Sequence, residues 1–241
     1  MATHDGGQSH AARDCLTQAG PDGPIVVEHL GTVPYDLCRE LLLEIGRERH
    51  APGATDRLFV AEHFPVFSVG THRQIDPALR ASLPAPLIRT DDAQSLTFHG
   101  PGQVSAHGCV LIRESVELTV VLQAIGSAAQ GAVASLGVAT AETGPAGLLV
   151  NGRRVAWWHV RTRGDVILTE LTLEVSTAGK WREPRDRACA ISSTTLAEHL
   201  DGAVDRDSAS DRLVEALAAA FCLEPLTGKA GVIGPAGVRE Q

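Results

Sequence analysis

Apolar positions fall into runs whose spacing changes along the chain. Residues 24–31, PIVVEHLG, alternate and read as a strand. Over 34–48, Leu37, Leu41, Leu42 and Ile45 recur at helical spacing, with Pro34 near the first turn. Residues 57–63 and 65–70 read as two short strands meeting at Pro65, and 76–83, DPALRASL, as a short helix. PLIRT, SLTFH and QVSAHGCVLIR follow as further strands between polar or glycine-rich turns. Ser115 opens a helix of about twenty residues, striped by Leu118, Val121, Leu122, Ile125, Ala129, Ala132, Val133 and Leu136. Asn151-Gly152 between two apolar runs is the signature of a type I′ hairpin. DVILTELTLEV then alternates as a third strand of that meander. Residues 178–192 read as charged and irregular, Thr194 or Thr195 as the cap of a short helix, and 208–222 as a last amphipathic helix.

This order, with hairpins joining many strands, predicts an α+β (mixed α/β) domain with largely antiparallel sheets flanked by helices. Residues 1–24 lack periodicity and are expected as a flexible arm, 25–226 as one catalytic-sized domain, and 227–241 as a loose Gly-rich tail. At 241 residues, with 44% hydrophobic and 21% charged positions, the composition is that of a globular chain. A net charge of −8 offers no electrostatic footprint for nucleic acid or an anionic membrane. No apolar run is expected to reach the roughly 18 residues of a membrane span, and the polar N-terminus carries no signal h-region. The five cysteines, at 15, 38, 109, 189 and 222, are dispersed without a CxxC pair, which predicts neither disulfides nor a zinc ribbon. No metal or other cofactor is expected: His4, His10, His29, His50, His72 and His199 show no ligand spacing, and His63 reads as a turn residue. Cys38, Cys109 and Cys222 read as core or half-buried thiols. A reducing, cytoplasmic setting and a monomer are the expectations.

The most distinctive stretch is Thr97-Phe98-His99-Gly100-Pro101-Gly102-Gln103. Gly-Pro-Gly makes a rigid turn whose glycines let backbone approach a ligand and present bare N–H groups. On composition alone the plain reading is a tight hairpin with a hydrogen-bonded histidine.

The stretch resembles the RGGxxTxHGPGQ segment of the lipoyl (octanoyl) transferases, within the biotin and lipoate protein ligase superfamily. Further segments resemble that family in the same order: Glu62 to Gly70 its EHPPVxTxG, Asn151 to Ala156 its DGRKIA, Arg161 to Gly164 its RVRRG, and Cys189 with Thr194-Thr195-Leu196 its PCG…VTSL. The likeness runs over roughly residues 25–222. It implies a ligase-like catalytic domain that moves an octanoyl-type group from an acyl-carrier-protein thioester, through a cysteine thioester, to a lipoyl-domain lysine or another amine. Carried over, the resemblance makes Cys189 the nucleophile, with Arg154 and His99 as catalytic partners. Thr97, Phe98, Gly100, Pro101, Gly102, Gln103, Gly152, Val155 and Ala156 would line the substrate pocket.

The chain departs from the pattern in three places. Arg154 occupies the position of the family's catalytic lysine, and arginine does not act as a base near neutral pH. Asp92-Ala93-Gln94 replace RGG, with Arg89 the nearest compensating cation. Thr169-Glu170 replace a His-Gly pair. His99 is the first substitute base, followed by His107, His159 and Glu170. His159 lies five residues beyond Arg154, hence on the opposite strand face unless a bulge intervenes. Trp157 and Trp158 should face opposite ways, one of them in the core or at the pocket wall. Two other functions compete: an impaired relative that binds an acyl group or carrier protein without turnover, and an ATP-dependent lipoate or biotin ligase.

Overall fold

The computed structural model describes residues 16–17, 23–91, 95–113, 116–139, 141–144, 147–200 and 203–227. Chain order runs through strand β1 (Gly23–Val33), helix α1 (Tyr35–Glu48), strands β2 (Asp56–His63) and β3 (Val66–Gly70), helix α2 (Pro77–Ala81), and strands β4 (Leu87–Thr90), β5 (Thr97–His99) and β6 (Gln103–Leu111). Helix α3 (Leu118–Ser135) precedes β7 (Ala141–Gly144), β8 (Gly147–Val150), β9 (Arg153–Arg163) and β10 (Val166–Glu174). Helix α4 (Gly179–Ala188), a 3₁₀ turn (Leu196–Glu198), helix α5 (Arg206–Ala220) and β11 (Leu223–Thr227) complete it.

Eight strands form one sheet in the order β11-β1-β2-β6-β10-β9-β8-β7, parallel at β11-β1-β2 and antiparallel elsewhere. A second sheet, β4-β3-β5, stands apart. The mixed α+β expectation therefore holds. The two faces of the large sheet differ because β6 and β10 alternate in phase. Val104, Ala106, Leu171 and Leu173 point toward α3 and α5, where Val121, Ile125, Ala129, Leu213 and Leu217 close the main core. The opposite face carries Ser105, His107, Glu170 and Thr172, all buried, continued at one end by Cys109, Val166 and Leu168 against Leu42 of α1.

The Asn151-Gly152 hairpin forms as expected, with φ of 51° and 73° at its two central residues. Residues 178–192 differ from expectation: ten of them form α4, although Pro184 interrupts its hydrogen-bond ladder. Packing supplies what propensity lacks, since Trp181 of α4 stacks on Phe98 of the second sheet at 5.2 Å with planes 8° apart. Helix α3 has close to its expected length but is more apolar than expected; its 18 residues meet the length and composition of a membrane span, with 39% of them buried against the protein. Ser115 lies outside the described residues, and Glu117 stands at the helix start without a side-chain cap. Within the expected arm, Leu16 is buried and Thr17 bridges Ile112, while Gly23 and Pro24 already belong to β1. The rest of residues 1–22, with Cys15, His4 and His10, and the tail from 228 lie outside the described residues.

Candidate active site

A cleft of about 1020 Å³ opens over the polar face of the large sheet. Its lining includes Thr97, Arg154, Trp157, His159, Glu170 and Cys189. Cys189 sits where α4 ends, in extended conformation, and its Sγ lies 3.9 Å from the Leu96 carbonyl. The thiol is half-buried in the cleft wall beside the start of β5.

Arg154 reaches the same cleft by a local irregularity. Leu148 faces Ala156 and the next residue, Leu149, faces Arg154, so Val155 is an extra residue in β9. Val155 and Ala156 both pack into the core, and Arg154 swings to the face of Trp157, with its guanidinium carbon 5.8 Å from that ring's centroid. The bulge that would put Arg154 and His159 on one face is present, and both line the cleft. Backbone pairing pins the position: Arg154 N donates to the Ser192 carbonyl at 2.9 Å, and Thr194 N donates to the Arg154 carbonyl at 2.8 Å. The Arg154 side chain is only 7% exposed, and its Nε and Nη2 have no hydrogen-bond partner. Burial, and then the neighbouring Arg185, push its pKa down to about 10, against attraction from Glu174, Cys189 and Asp186. It remains a cation at neutral pH. Arg185, 3% exposed, is a second buried guanidinium of the cleft, held to Asp186 at 2.7 Å with its Nε unpartnered.

The His-Gly-Pro-Gly-Gln turn does not form the rim. Of the expected pocket residues only Thr97 lines the cleft; Phe98, Gly100, Pro101, Gly102, Gln103, Gly152, Val155 and Ala156 do not. The glycines are spent on the protein itself. Gly100 N donates to Gln103 Oε1 at 3.0 Å, and Gly102 N donates to Glu62 Oε1 at 2.9 Å. Gly102 has a φ of +87°, and a Cβ there would stand 2.6 Å from the Thr177 nitrogen. Gln103 ties the turn to β10 by donating to Glu174 Oε1 at 3.0 Å. Phe98 packs on Phe67 and Trp181, Val155 and Ala156 fill the core, and Gly152 serves the hairpin.

His99 is buried behind the cleft wall, not on it. Its Nε2 is 2.7 Å from Ser68 Oγ, its ring stacks on Tyr35 at 3.6 Å, and Trp157 meets it edge-on at 5.3 Å. Its Nδ1 stands 3.4 Å from Glu170 Oε1. Glu170 in turn accepts from Tyr35 Oη at 3.0 Å. Register sets His107 directly across from Glu170 on one side and His159 on the other, a His–Glu–His row over three strands. Burial opposes the Glu170 charge, but His99, His107 and His159 outweigh it and hold this carboxyl below the usual range.

Cys38, His63 and His107 converge beside this row, which the chain pattern did not reveal. His63 is no turn residue: it ends β2, buried, with Nε2 3.0 Å from His107 Nε2. Burial, and then His107 and His99, push the His63 pKa down to about 3. Burial, and then Glu170, push the Cys38 thiol up to about 12. The positions lie on three separate elements, α1, β2 and β6, so no local spacing signalled them. Arg89 does not replace the missing RGG arginine in the cleft; it donates to the Gly70, Thr71 and Arg73 carbonyls. Asp92-Ala93-Gln94 lie outside the described residues.

This architecture is the fold of the lipoate protein ligases. It matches a lipoate-protein ligase A bound with ATP at a TM-score of 0.69, with 12% identity over 86% of this chain and 88% of that one. It matches the bipartite lipoate protein ligase of Thermoplasma acidophilum at 0.67, again with 12% identity, over 86% and 87% of the two chains. Within that fold the sequence is similar to the octanoyltransferases: it is 33% identical to the enzyme of Burkholderia pseudomallei strain 1106a over 107 residues, 43% of each chain. The match thus spans less than half the length of that curated relative. No family model matches the chain. The resemblance read from the motifs is supported by both kinds of comparison.

Proposed function

We propose that the protein is an acyltransferase of lipoylation-type chemistry, moving an octanoyl-type group from an acyl-carrier-protein thioester to the amine of a lipoyl-domain lysine or a related acceptor. The observation that carries this reading is Cys189 sharing a cleft with the buried, partly unpartnered Arg154 guanidinium. The Cys189 thiolate attacks the thioester carbonyl, the carrier thiolate leaves and takes up a proton, and an acyl-Cys189 thioester remains. The free N–H groups of Arg154 stabilise negative charge, first on the thiolate and then on the developing oxyanion. The acceptor amine then attacks, giving up a proton as Cys189 departs. Arg154 cannot take that proton. His99 does not line the cleft, whereas His159 does, on the face of Arg154 and Trp157; His159 is therefore assigned the proton acceptor. A thiol that must stay reduced suits the cytoplasm.

The cation in the base position also favours a second reading, in which an acyl group or carrier protein is bound without full turnover. Incubation with an octanoyl-carrier thioester, followed by intact mass measurement, separates the two. The transferase reading expects an octanoyl adduct on wild type, absent from Cys189→Ser and discharged by a lipoyl domain. Carrier binding with no adduct establishes the second reading instead.

A further inference from the structure

We infer that Cys38, His63 and His107 form a binding site for a zinc-class divalent metal ion, set into the wall of the cleft. This inference goes beyond the acyl-transfer reading and does not depend on it. Cys38 Sγ, one nitrogen of His63 and one of His107 all lie within 4.8 Å of one another, and all three residues are buried. The two imidazoles approach through their Nε2 atoms at 3.0 Å. Two imidazole nitrogens on a tetrahedral zinc ion, each at about 2.0–2.1 Å, stand roughly 3.3 Å apart. A small separation of the rings admits the ion.

The surroundings match a metal site in two further ways. His63 Nδ1 lies 3.2 Å from the Val33 carbonyl, which fixes the tautomer with Nδ1 protonated. That leaves the Nε2 lone pair aimed at the cluster, the outer hydrogen bond that orients a metal-bound histidine. Glu170 is beside the cluster, paired across strands with His107, and only 5% exposed. Its Oε1 faces His99 Nδ1 at 3.4 Å without a full hydrogen bond. A buried carboxylate is costly, and a nearby dication would add to the histidines that offset it.

One thiolate and two imidazoles form a donor set that suits zinc rather than magnesium or calcium. Binding replaces the Cys38 thiol proton and requires the proton that His107 Nε2 donates to His63 to move to His107 Nδ1, so one proton is released per ion. Three protein ligands leave a fourth position, filled by water. His107 and Glu170 line the cleft, so that position is reached from it.

The test uses untagged, full-length protein purified without chelators. Zinc is measured directly, and cobalt(II) is then loaded anaerobically in its place. About one ion per chain is expected, with a thiolate-to-cobalt charge-transfer band that Cys38→Ser abolishes and Cys189→Ser retains. If Cys38→Ser does not fold, X-ray absorption on the zinc-loaded Cys189→Ser protein decides, with one sulfur and two imidazoles expected in the shell. Failure of wild type to retain zinc or cobalt through gel filtration overturns the site. So does a band that survives Cys38→Ser, or a shell without sulfur. Each readout is independent of the acyl adduct, so failure here leaves the transferase reading standing, and the reverse.

Discussion

Arg154 and Trp157 share one face of β9, with the guanidinium carbon 5.8 Å from the indole centroid, because Val155 is an extra residue in the strand. Three residues apart in a regular strand, the two would point to opposite faces. The bulge gives the cleft a buried cation at the position where the resembling family has a base.

Replacing that cation by a base should accelerate the second half-reaction. A lysine at 154, desolvated and beside Arg185, would titrate below its ordinary range and accept a proton. Arg154→Lys is expected to speed discharge of acyl-Cys189 to a lipoyl-domain amine by about tenfold or more. Single-turnover mass measurement of adduct decay checks this; an unchanged rate removes Arg154 from the base position.

Gly102 carries a structural demand. Its φ of +87° and the 2.6 Å approach of the Thr177 nitrogen to any Cβ leave no room for alanine. Gly102→Ala should cost about 2–4 kcal/mol, the combined scale of left-handed strain and overpacking. Denaturant unfolding measures it. A cost under about 1 kcal/mol would mean that the turn yields more easily than its packing implies.

Glu198 gathers the segment after Cys189. It accepts from Arg153 at 3.1 Å, from Arg182, and from Thr194 Oγ1 at 2.8 Å. Burial raises its pKa, but Thr194 and Arg182 prevail and hold it below the ordinary 4.5. A carboxyl lowered on folding contributes stability that is present above its unfolded pKa and lost as pH falls through the folded one. The side chain is 35% exposed, so screening keeps the effect small. Melting curves of wild type and Glu198→Gln should converge as pH falls from about 6 to below about 4. A gap that stays constant over that range contradicts the network.

Trp181 holds α4, and therefore Cys189, against the second sheet through its stack on Phe98. Trp181→Ala should lower stability by about 1–3 kcal/mol and raise the alkylation rate of Cys189 as the helix end loosens. Alkylation at wild-type rate would show that the Arg154 backbone pairing alone positions the thiol.

Much of the architecture was legible in local pattern. Leu171, Leu173 and Val175 alternate with Glu170, Thr172 and Glu174, which defines β10 and predicts its two faces. Asn151-Gly152 announced its hairpin for the same local reason. Helix α4 was not legible, because Pro184 and its charges argue against a helix that packing on Phe98 nonetheless stabilises. The site was half legible: Cys189, Arg154 and Thr97 reach the cleft, but the His-Gly-Pro-Gly-Gln turn spends its amides on Gln103 and Glu62.

By itself the chain determined most of its elements and its mixed fold class, since these follow from periodicities and turn chemistry within a few residues, while Cys189 and Arg154 were named only by the family resemblance. Tertiary structure decided which polar groups share a face. One extra residue at Val155 reversed the side on which Arg154 projects. Strand register set His107 and His159 against Glu170, and brought His63 within 3.0 Å of a histidine 44 positions away. Such meetings depend on long-range register, which no short window of sequence encodes.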